Sequence, residues 1–356
     1  MDKSCFDITV FVINDGGQWE QKFRDAGIRV VNSFSFLTES KHPVIRARNY
    51  LRRKYIEHIR SRGGKNLLKA VLPAERFDMV ISYNVFRMES AGIVKNACCI
   101  RYIHGDVATN DSFRYVIRKS QKLLPLYDKV ICVSHIAQKS LQNLFGPLEN
   151  TVVYHNPLNS ERVRALSMVW QDGVPEEPYI CAVGRLSPEK GYDRLVRIHK
   201  RLIDKGVVHK LVIVGDGPER ENIEEVIRKT GTDKTVSLAG YRENPYPFMK
   251  NSLFLVCASY TEGLPVIAPE ALSLGVPLVS SAPSVGELFG EQHCGIITEG
   301  DDVSLEQGIE KMLCDKEFYE KIKTSTQVRS HWFDGRRMTA MVEEEYLTTL
   351  KGSGKL

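Results

Sequence analysis

Short apolar segments, each followed by a polar turn, recur along the chain and alternate with segments of helical periodicity. Such alternation is typical of parallel sheets that are covered by helices on both faces. One of these helices is predicted over residues 189–204, where apolar residues recur from Tyr192 to Leu202. The predicted strands are residues 8–13, 79–83, 99–104, 129–134 and 151–155 in the first half, and 179–183, 210–214, 236–239, 253–257 and 277–280 in the second. The pattern predicts an α/β protein with two doubly wound, Rossmann-like domains.

The composition agrees with this class. The chain has 356 residues, of which 42% are hydrophobic and 26% are charged, as expected of a globular protein with two domains of ordinary size. No apolar run is long enough to span a bilayer, and the first residues lack the pattern of a secretory signal. We therefore expect a cytoplasmic protein.

The eight cysteines contain no C-x-x-C pair. Cys132, Cys181 and Cys257 lie inside apolar segments that are predicted to be strands. Metal ligation requires clustered partners, and a disulfide framework is typical of small secreted chains. We expect reduced core thiols and neither a zinc site nor a disulfide.

Charge is distributed unevenly between the two halves. Residues 1–166 contain 26 Lys and Arg against 15 Asp and Glu, a net charge of +11, and the remainder carries −6. Much of the excess lies in residues 41–65, where apolar and basic residues interleave. This segment predicts either a basic amphipathic helix at an anionic membrane surface or anionic acceptor, or a solvated helix that packs on its own sheet. Nucleic acid is not expected as a partner, because no stacking platform or known binding motif accompanies the charge.

Two acids in Y-T-E-G-L-P-V-I-A-P-E-A-L, Glu262 and Glu270, bracket a glycine-proline loop between two apolar strands. The helix predicted to start near Ala268 would direct free N–H groups and its positive dipole end at a ligand in this loop. Carboxylates accept hydrogen bonds from hydroxyls, so the two acids could hold different parts of one ligand. The segment predicts a site for an anionic, polyhydroxylated molecule.

Two cations, Arg185 and Lys190, follow a strand and the glycine turn at Gly184. A planar guanidinium and a compact ammonium together would neutralise a diphosphate leaving group. Ser187-Pro188-Glu189 has the composition of an N-cap and first turn, which predicts that Lys190 starts a helix.

Four segments together resemble the retaining GT-B glycosyltransferases of the group 1, family 4-like kind. They are the E-x7-E segment above, C-A-V-G-R-L-S-P-E-K-G (181–191), K-L-V-I-V-G-D-G-P (210–218) and V-S-L-A-G-Y-R-E-N-P-Y (236–246). The resemblance covers residues 179 to about 300, and Y-I-H-G-D and V-I-C-V-S extend it more loosely into the first half.

The resemblance implies roles for individual residues. Glu270 would bind the ribose, and Glu262 would bind the transferred sugar with the amides of residues 263–266. Tyr241 and Arg242 occupy base-edge positions or form an ordinary turn, and His104 contacts the donor sugar or is a core histidine. The implied catalytic residues are Glu262, His104, Arg185 and Lys190. The implied donor-binding residues are Gly184, Arg185, Lys190, Gly215, Gly217, Tyr241, Arg242, Glu262, Gly263, Leu264, Pro265, Val266 and Glu270.

No D-x-D triplet occurs in a suitable loop, since Asp301-Asp302 lies in a late acidic turn. We therefore expect no metal and no cofactor, with Arg185, Lys190 and helix ends acting in place of a cation. The family retains anomeric configuration. Asp106 and Asp111 lie near His104 in sequence, but nothing fixes their direction, so the same-face mechanism of the family is preferred to a double displacement.

The first strand, loop and helix of the family are not recognisable in this sequence. The opening F-D-I-T-V-F-V-I-N-D-G-G resembles the family's second strand, Asp15-Gly16-Gly17 could be a displaced loop, and residues 18–31 predict a short helix and a strand. The predicted domains are an acceptor-side domain at 1–160 and a nucleotide-sugar domain at 161–328. A C-terminal helix at 329–350, preceded by His331-Trp332-Phe333, is predicted to cross back to the first domain.

These features predict a glycosyltransferase that moves a sugar from a nucleotide sugar, with UDP as the favoured nucleotide, to a cell-surface glycan or a lipid-linked oligosaccharide. It would act in the cytoplasm or at the inner face of the membrane, and basic residues 41–65 are the expected membrane contact. The alternatives are a truncated, non-catalytic relative that binds a nucleotide sugar or a partner protein, and a GT-B epimerase or phosphorylase.

Overall fold

The computed structural model describes residues 1–12, 20–32, 42–61, 76–83, 96–107 and 121–354. Several predicted features fall outside these ranges in whole or in part, including residue 13 of the first predicted strand and residues 18 and 19 of the first predicted helix. Asp15, Gly16, Gly17 and Asp111 lie outside the described residues, as do residues 41 and 62–65 of the basic segment.

The second half of the chain forms a six-stranded parallel sheet with the order β12-β11-β10-β7-β8-β9. Its strands are β7 (Tyr179–Val183), β8 (Lys210–Val214), β9 (Val236–Gly240), β10 (Leu255–Cys257), β11 (Leu278–Ser280) and β12 (Gly295–Ile297). Tyr179, Cys181 and Val183 pack on one face of the sheet, while Ile180 and Ala182 pack on the other. Because alternate side chains of a strand point to opposite faces, helices cover this sheet on both sides.

The first half contains two smaller parallel sheets among the described residues. β3 (Met79–Ser82), β4 (Cys98–Ile103), β5 (Lys129–Cys132) and β6 (Thr151–Val153) pair in that order, and β1 (Thr9–Val12) pairs with β2 (Arg29–Asn32). The short helix and strand predicted in residues 18–31 are present as α1 and β2. The α/β class is as predicted, but the first two strands form their own sheet in the described part of the chain instead of joining β3–β6.

The helices connect these strands. They are α1 (Glu20–Asp25), α2 (Pro43–Ser61), α3 (His135–Phe145), α4 (Ser160–Ser167), α5 (Tyr192–Asp204), α6 (Arg220–Thr230), α7 (Tyr246–Lys250), α8 (Ile267–Ser273), α9 (Asp302–Cys314), α10 (Lys316–Ser330) and α11 (Gly335–Gly352). All eight cysteines are free thiols, and Cys132, Cys181 and Cys257 are buried in strands as predicted.

The helix predicted over residues 189–204 begins later than expected. Residues Pro188–Lys190 form one 3₁₀ turn, Gly191 has a φ of +63°, and α5 starts at Tyr192. A Cβ at Gly191 would lie 2.4 Å from the carbonyl oxygen of Ala258, which leaves no room for a side chain. Lys190 therefore lies in the turn before the helix and not at its start. The hydroxyl of Ser187, predicted as an N-cap, instead donates to the Glu189 carboxylate over 2.5 Å.

The last helix, α11, packs against the sheet of the first half. Tyr346 on α11 is hydrogen-bonded to Tyr102 on β4 through the two hydroxyls, 2.6 Å apart. The Glu345 carboxylate lies 3.3 Å from the Lys129 ammonium and accepts a hydrogen bond from the Tyr154 hydroxyl over 3.1 Å. A helix late in the chain thus contacts β4, β5 and the residue that follows β6. The domain boundaries themselves stay predictions.

A buried histidine pair joins α5 to β8. His199 Nδ1 lies 2.9 Å from His209 Nε2, His209 Nδ1 lies 2.9 Å from the Val207 oxygen, and His199 Nε2 lies 2.9 Å from the Thr235 hydroxyl. The carbonyl of Val207 can only accept, so His209 donates to it and accepts from His199. This arrangement requires that the His209 ring be neutral and that His199 carry its proton on Nδ1. Burial, and then the nearby His209, lowers the pKa of His199 to about 3, and burial lowers the pKa of His209.

This pair predicts a loss of stability in acid. Each histidine binds a proton in the unfolded chain below its usual pKa of 6.5 but stays neutral when folded, so the free energy of unfolding decreases as the pH falls below about 6.5. At about pH 4.5 we expect His199 to lower it by roughly 2–3 kcal/mol. Urea denaturation at about pH 6.5 and at about pH 4.5 measures this decrease, and His199→Gln should flatten the pH dependence of the free energy of unfolding. The matched variant His331→Gln, at an exposed position, should leave it unchanged.

Candidate active site

The predicted site residues meet at the carboxyl ends of β7 and β10. These two strands are neighbours in the sheet, although two other strands lie between them in the sequence. Such a reversal of strand order opens a crevice, and ligands of doubly wound sheets bind in it. Residues 184–191 follow β7 and residues 258–266 follow β10. The two motifs that were distant in sequence therefore share one crevice.

Lys190 and Glu262 form an ion pair in this crevice. The Lys190 ammonium lies 2.5 Å from Glu262 Oε1, and the two side chains are 26% and 14% exposed. The hydroxyl of Ser259 donates to the same carboxylate oxygen over 2.8 Å. Partial burial strengthens the attraction relative to a surface pair. A phosphate that binds Lys190 must therefore compete with Glu262 for its ammonium group.

The glycines after β7 and β8 allow two loops to pack closely. A Cβ at Gly215, which has a φ of +151°, would lie 1.9 Å from the Gly184 oxygen. A Cβ at Gly217 would lie 2.3 Å from the oxygen of Leu186. Side chains at either position would separate the loops, so both glycines fix the turn that carries Arg185. Arg185 itself is exposed and forms no ion pair with another described residue.

The loop that carries Glu262 touches the first half of the chain. A Cβ at Gly263 would lie 2.0 Å from the His104 oxygen and 2.8 Å from the Gly105 Cα. The hydroxyl of Ser134 donates to the Gly263 oxygen over 2.8 Å while it accepts from the Ala137 amide as the N-cap of α3. Strand ends of β4 and β5 thus hold the Glu262 loop from the opposite side of the crevice.

His104 is a neutral histidine with an open nitrogen. Its ring is stacked on Tyr102 with centroids 5.5 Å apart and contacts the edge of Tyr83 at 4.5 Å. Burial, and then the charge of Arg101, lowers its pKa to about 4. Its Nε2 is buried and has no hydrogen-bond partner among the described residues. Buried polar atoms normally have partners, so this nitrogen is available to a ligand hydroxyl.

Glu270 lies in the first turn of α8 and is largely shielded from solvent. The Tyr246 hydroxyl donates to its Oε1 over 3.0 Å. Burial raises the pKa of Glu270 to about 7, and the hydrogen bond from Tyr246 offsets part of this rise. The carboxylate is therefore close to half-protonated at neutral pH. Leu264 and Pro265 are buried in the same loop, and Val266 is exposed.

The raised pKa of Glu270 predicts that removal of its carboxylate increases the stability of the fold but weakens nucleotide binding. In the folded state Glu270 keeps its proton up to about pH 7, whereas the unfolded chain releases it near pH 4.5. The free energy of unfolding therefore decreases as the pH rises from about 4.5 to 7 and stays lowered above pH 7. We expect Glu270→Gln to raise the free energy of unfolding by about 2–3 kcal/mol at pH 8 and far less at pH 5. Nucleotide affinity at pH 8 should fall about tenfold with the lost carboxylate bonds. Urea denaturation and calorimetric titration with UDP test both effects, and the exposed first-turn variant Glu221→Gln should show neither.

The two predicted base-edge residues differ in their exposure and in their contacts with the rest of the protein. Tyr241 is 64% exposed. Arg242 is partly committed, since its Nε donates to the Ala239 oxygen over 3.1 Å and its guanidinium lies 5.6 Å from the ring centre of Phe248. The described residues show no hydrogen bond or ion pair that joins either one to Glu262 or Lys190. Their contact with a base stays a prediction.

Sequence reasoning missed several residues of the crevice. Glu287 follows β11, and its carboxylate accepts from the amides of His135 and Ile136 over 2.8 and 3.0 Å and lies 3.4 Å from His155 Nε2. Burial opposes its ionisation, but these hydrogen bonds outweigh burial and lower its pKa. Ser134, Ser259 and Tyr246 were also missed. Ser134 ends the predicted strand 129–134 and Ser259 lies two residues after the predicted strand 253–257, so both could have been found as polar residues at strand ends.

The cations Lys190 and Arg185 lie in the loops at the crevice, and the described part of the chain has no cluster of metal ligands there. No group of three or more His, Cys, Asp or Glu side chains there could hold a metal ion. The independence from metal stays a prediction. None of the helices in the described ranges combines the length and apolar composition needed to cross a bilayer.

Comparisons with known sequences identify the family. Residues 170–329 match the model for glycosyl transferases group 1. An uncharacterized glycosyltransferase of Methanocaldococcus jannaschii is 31% identical over 165 residues, which are 45% of this chain and 41% of that protein. The N-acetylgalactosamine-N,N'-diacetylbacillosaminyl-diphospho-undecaprenol 4-alpha-N-acetylgalactosaminyltransferase of Campylobacter jejuni is 28% identical over 217 residues, or 59% of this chain and 58% of that protein. The matches span about half the length of these relatives.

Solved structures identify the fold. Anabaena Alr3699/HepE in complex with UDP and glucose has a TM-score of 0.71 at 18% identity, over 96% of this chain and 91% of that chain. Sucrose-phosphate synthase from Thermosynechococcus elongatus has a TM-score of 0.70 at 16% identity, over 97% and 99%. The match assigns residues 170–329 to the group 1 glycosyltransferases, and the chain has the GT-B fold. The family and fold predictions are thus confirmed.

Proposed function

We propose that the protein transfers a sugar from a nucleotide sugar, with UDP as the nucleotide, to a glycan or lipid-linked oligosaccharide acceptor. The ion pair of Lys190 and Glu262 at the β7–β10 crevice is the observation that carries this proposal. In this proposal Lys190 supplies a cation for the diphosphate and Glu262 a carboxylate for sugar hydroxyls, and the neighbouring Gly263 packs against the backbone oxygen of His104. Support for the substrates comes from HepE, which was crystallised with UDP and glucose, and from the Campylobacter relative, whose name specifies an undecaprenol-linked acceptor.

The proposed chemistry is transfer with retention at the anomeric carbon. The bond from this carbon to the β-phosphate oxygen breaks, a bond to the acceptor oxygen forms on the same face, and the acceptor proton passes to the departing phosphate. Lys190 and Arg185 neutralise the charge that develops on the diphosphate. Glu262, released from Lys190, accepts from sugar hydroxyls, and neutral His104 accepts or donates one hydrogen bond to the same sugar.

No metal ion is part of this proposal. A divalent cation would act on the diphosphate oxygens, where Lys190 and Arg185 already supply positive charge. Turnover in excess EDTA should therefore equal turnover in added Mg²⁺ or Mn²⁺. A requirement for either cation would overturn this part of the mechanism.

Nucleotide binding tests the site directly. We expect calorimetric titration to detect UDP in preference to GDP, ADP and dTDP, and Lys190→Ala to weaken UDP binding about tenfold or more by removal of a charge-assisted contact. The matched variant Lys200→Ala, whose ammonium pairs with Asp204 on the outer part of α5, should bind as the wild type does. Failure of all four nucleotides to bind would contradict a donor site in this crevice.

We further propose that α2 lies at an anionic membrane surface and brings the crevice to a lipid-linked acceptor. Val44, Leu51 and Tyr55 are 68%, 68% and 59% exposed and share one face, because they are seven and four residues apart. Ile56, on another face, is 1% exposed and packs inward. The exposed residues Arg52 and Lys54 flank this face on its two sides, and the exposed Arg48 lies on the face itself. An apolar face bordered by cations is typical of helices that lie in the interface of an anionic bilayer.

Co-sedimentation with vesicles tests this surface. The protein should bind vesicles that contain phosphatidylglycerol and should not bind pure phosphatidylcholine. The triple variant Val44→Ser, Leu51→Ser, Tyr55→Ser should lose binding, whereas Val208→Ser, which removes an 83% exposed side chain elsewhere, should retain it. Equal binding by the triple variant would place membrane contact elsewhere.

A further inference from the structure

Arg194, in the first turn of α5, is a fully buried arginine that none of the family motifs includes. Its side chain is 2% exposed. Arginine is rarely buried unless its donors find acceptors, because removal of a guanidinium from water is costly. The environment of Arg194 must therefore satisfy its five N–H groups.

The acceptors of Arg194 come from three loops at the carboxyl end of the sheet. Its Nε donates to the Ala258 oxygen over 2.9 Å after β10, its Nη2 donates to Ser281 Oγ over 2.9 Å after β11, and its Nη1 donates to the Gly300 oxygen over 2.8 Å after β12. The Tyr260 ring lies 4.2 Å from the guanidinium. The ion pair with Asp302 is longer, 3.5 Å, and Asp302 is 46% exposed. The carbonyl and hydroxyl acceptors, more than the carboxylate, hold this cation.

A short chain of hydrogen bonds connects Arg194 to the site. Ser281 accepts from Arg194 and donates to the Ser259 oxygen over 2.6 Å. The Ser259 hydroxyl donates to Glu262 Oε1 over 2.8 Å, and that oxygen also pairs with the Lys190 ammonium. Arg194 thus fixes the backbone from which the Glu262 carboxylate is held.

Arg194 also supports the turn that carries Lys190. A Cβ at Gly191 would lie 3.0 Å from Arg194 Nε and 2.4 Å from the Ala258 oxygen. Lys190 and Glu262 are therefore set by loops that meet at one guanidinium.

We infer that Arg194 is a positioning residue that holds Glu262 and Lys190 in their paired geometry. It acts through Ser259 and Ser281 and has no contact with the substrates. The inference rests on the proposed function only where it predicts an effect of Arg194 substitutions on turnover. A lysine cannot replace it fully, since one ammonium cannot reach acceptors in three loops in the fixed planar geometry of a guanidinium.

Kinetics provide the first test. Arg194→Met should lower kcat by about 10- to 100-fold, because small displacements of catalytic groups are costly, and should leave the Kd for UDP within about threefold. Arg194→Lys should recover part of kcat. In the Glu262→Gln background, Arg194→Met should cause a smaller loss of kcat than in the wild type, since part of its effect acts through the same carboxylate. Arg197→Met, one turn along α5 at an exposed position paired with Asp193, is the matched control. Multiplicative losses in the double variant would overturn the inference, as would a loss of thermal stability alone with unchanged kcat at a permissive temperature.

Chemical labelling provides a second test that needs no turnover. The Lys190 amine, paired with Glu262, should react slowly with acetic anhydride in the folded wild type. Arg194→Met and Glu262→Gln should each accelerate its acetylation by severalfold, whereas Arg197→Met should not, as measured by mass spectrometry of the peptide that contains Lys190. Unchanged labelling of Lys190 in Arg194→Met would contradict the positioning role. An inactive wild type would count against the proposed function alone, since the labelling result does not depend on it.

Discussion

Replacement of Lys190 by alanine is expected to lower kcat/KM for the nucleotide sugar by about 100- to 1,000-fold. Lys190 is the cation that lies inside the crevice, 2.5 Å from the Glu262 carboxylate, whereas Arg185 is exposed. Its removal leaves the developing charge on the diphosphate without its nearest partner. It also leaves the carboxylate of Glu262, 14% exposed, without a counter-charge.

The Lys190 prediction is measured by steady-state release of the nucleoside diphosphate. Lys190→Arg should restore only part of the activity, because a guanidinium has a different shape from the compact ammonium group. Lys200→Ala controls for the loss of one positive charge from the same region of the chain. Activity of Lys190→Ala within tenfold of the wild type would show that Lys190 does not face the leaving group.

Replacement of Gly263 by alanine is expected to lower kcat by about 100-fold. The new Cβ would lie 2.0 Å from the His104 oxygen, a distance that real Cβ atoms do not show, so the Glu262 loop and the end of β4 must move apart. The movement would weaken the hydrogen bond from Ser134 to the Gly263 oxygen. It would also change the position of Glu262 relative to His104 across the crevice.

Two variants calibrate the Gly263 prediction. Ser134→Ala removes the hydrogen bonds to the Gly263 oxygen and from the Ala137 amide without a clash, and should cost only about fivefold in kcat. Gly352→Ala, near the end of α11, adds a Cβ with no atom within 4 Å and should be neutral. If Gly263→Ala retains full turnover, the contact between the Glu262 loop and His104 is not required for catalysis.

Local patterns in the sequence were sufficient for much of the fold. The strands at 179–183 and 210–214 have the predicted bounds, because each is a continuous apolar segment with a glycine turn after it. β12 was missed, since Gly295–Ile297 is too short to differ from a loop by periodicity. The interruption at Gly191 was missed for a different reason. Its cause is the backbone of Ala258, which lies 67 positions later in the chain.

In the candidate site, too, local motifs predicted some features, whereas other features depend on contacts between residues distant in sequence. Its motifs predicted that Glu262 and Lys190 belong to one site, and the strand order accounts for their contact. The raised pKa of Glu270 depends on burial and on Tyr246, and the role of Glu287 depends on amides of a helix in the other half of the chain. Partners so distant in sequence leave no local pattern. Arg194 was likewise not singled out, because a polar residue on a predicted helix looks solvated until its acceptors are known.

Cleavage of a nucleotide sugar tests the central proposal most directly. The purified protein would be incubated with UDP-glucose and UDP-N-acetylglucosamine, with water or a lipid-linked oligosaccharide as acceptor, and the release of UDP would be followed. We expect slow release that the acceptor accelerates and that Glu262→Gln and Lys190→Ala each lower by about 100-fold or more, while Lys200→Ala does not. If UDP release by the wild type equals that of Glu262→Gln under every condition, the crevice does not perform glycosyl transfer from these donors, and the proposed function is contradicted.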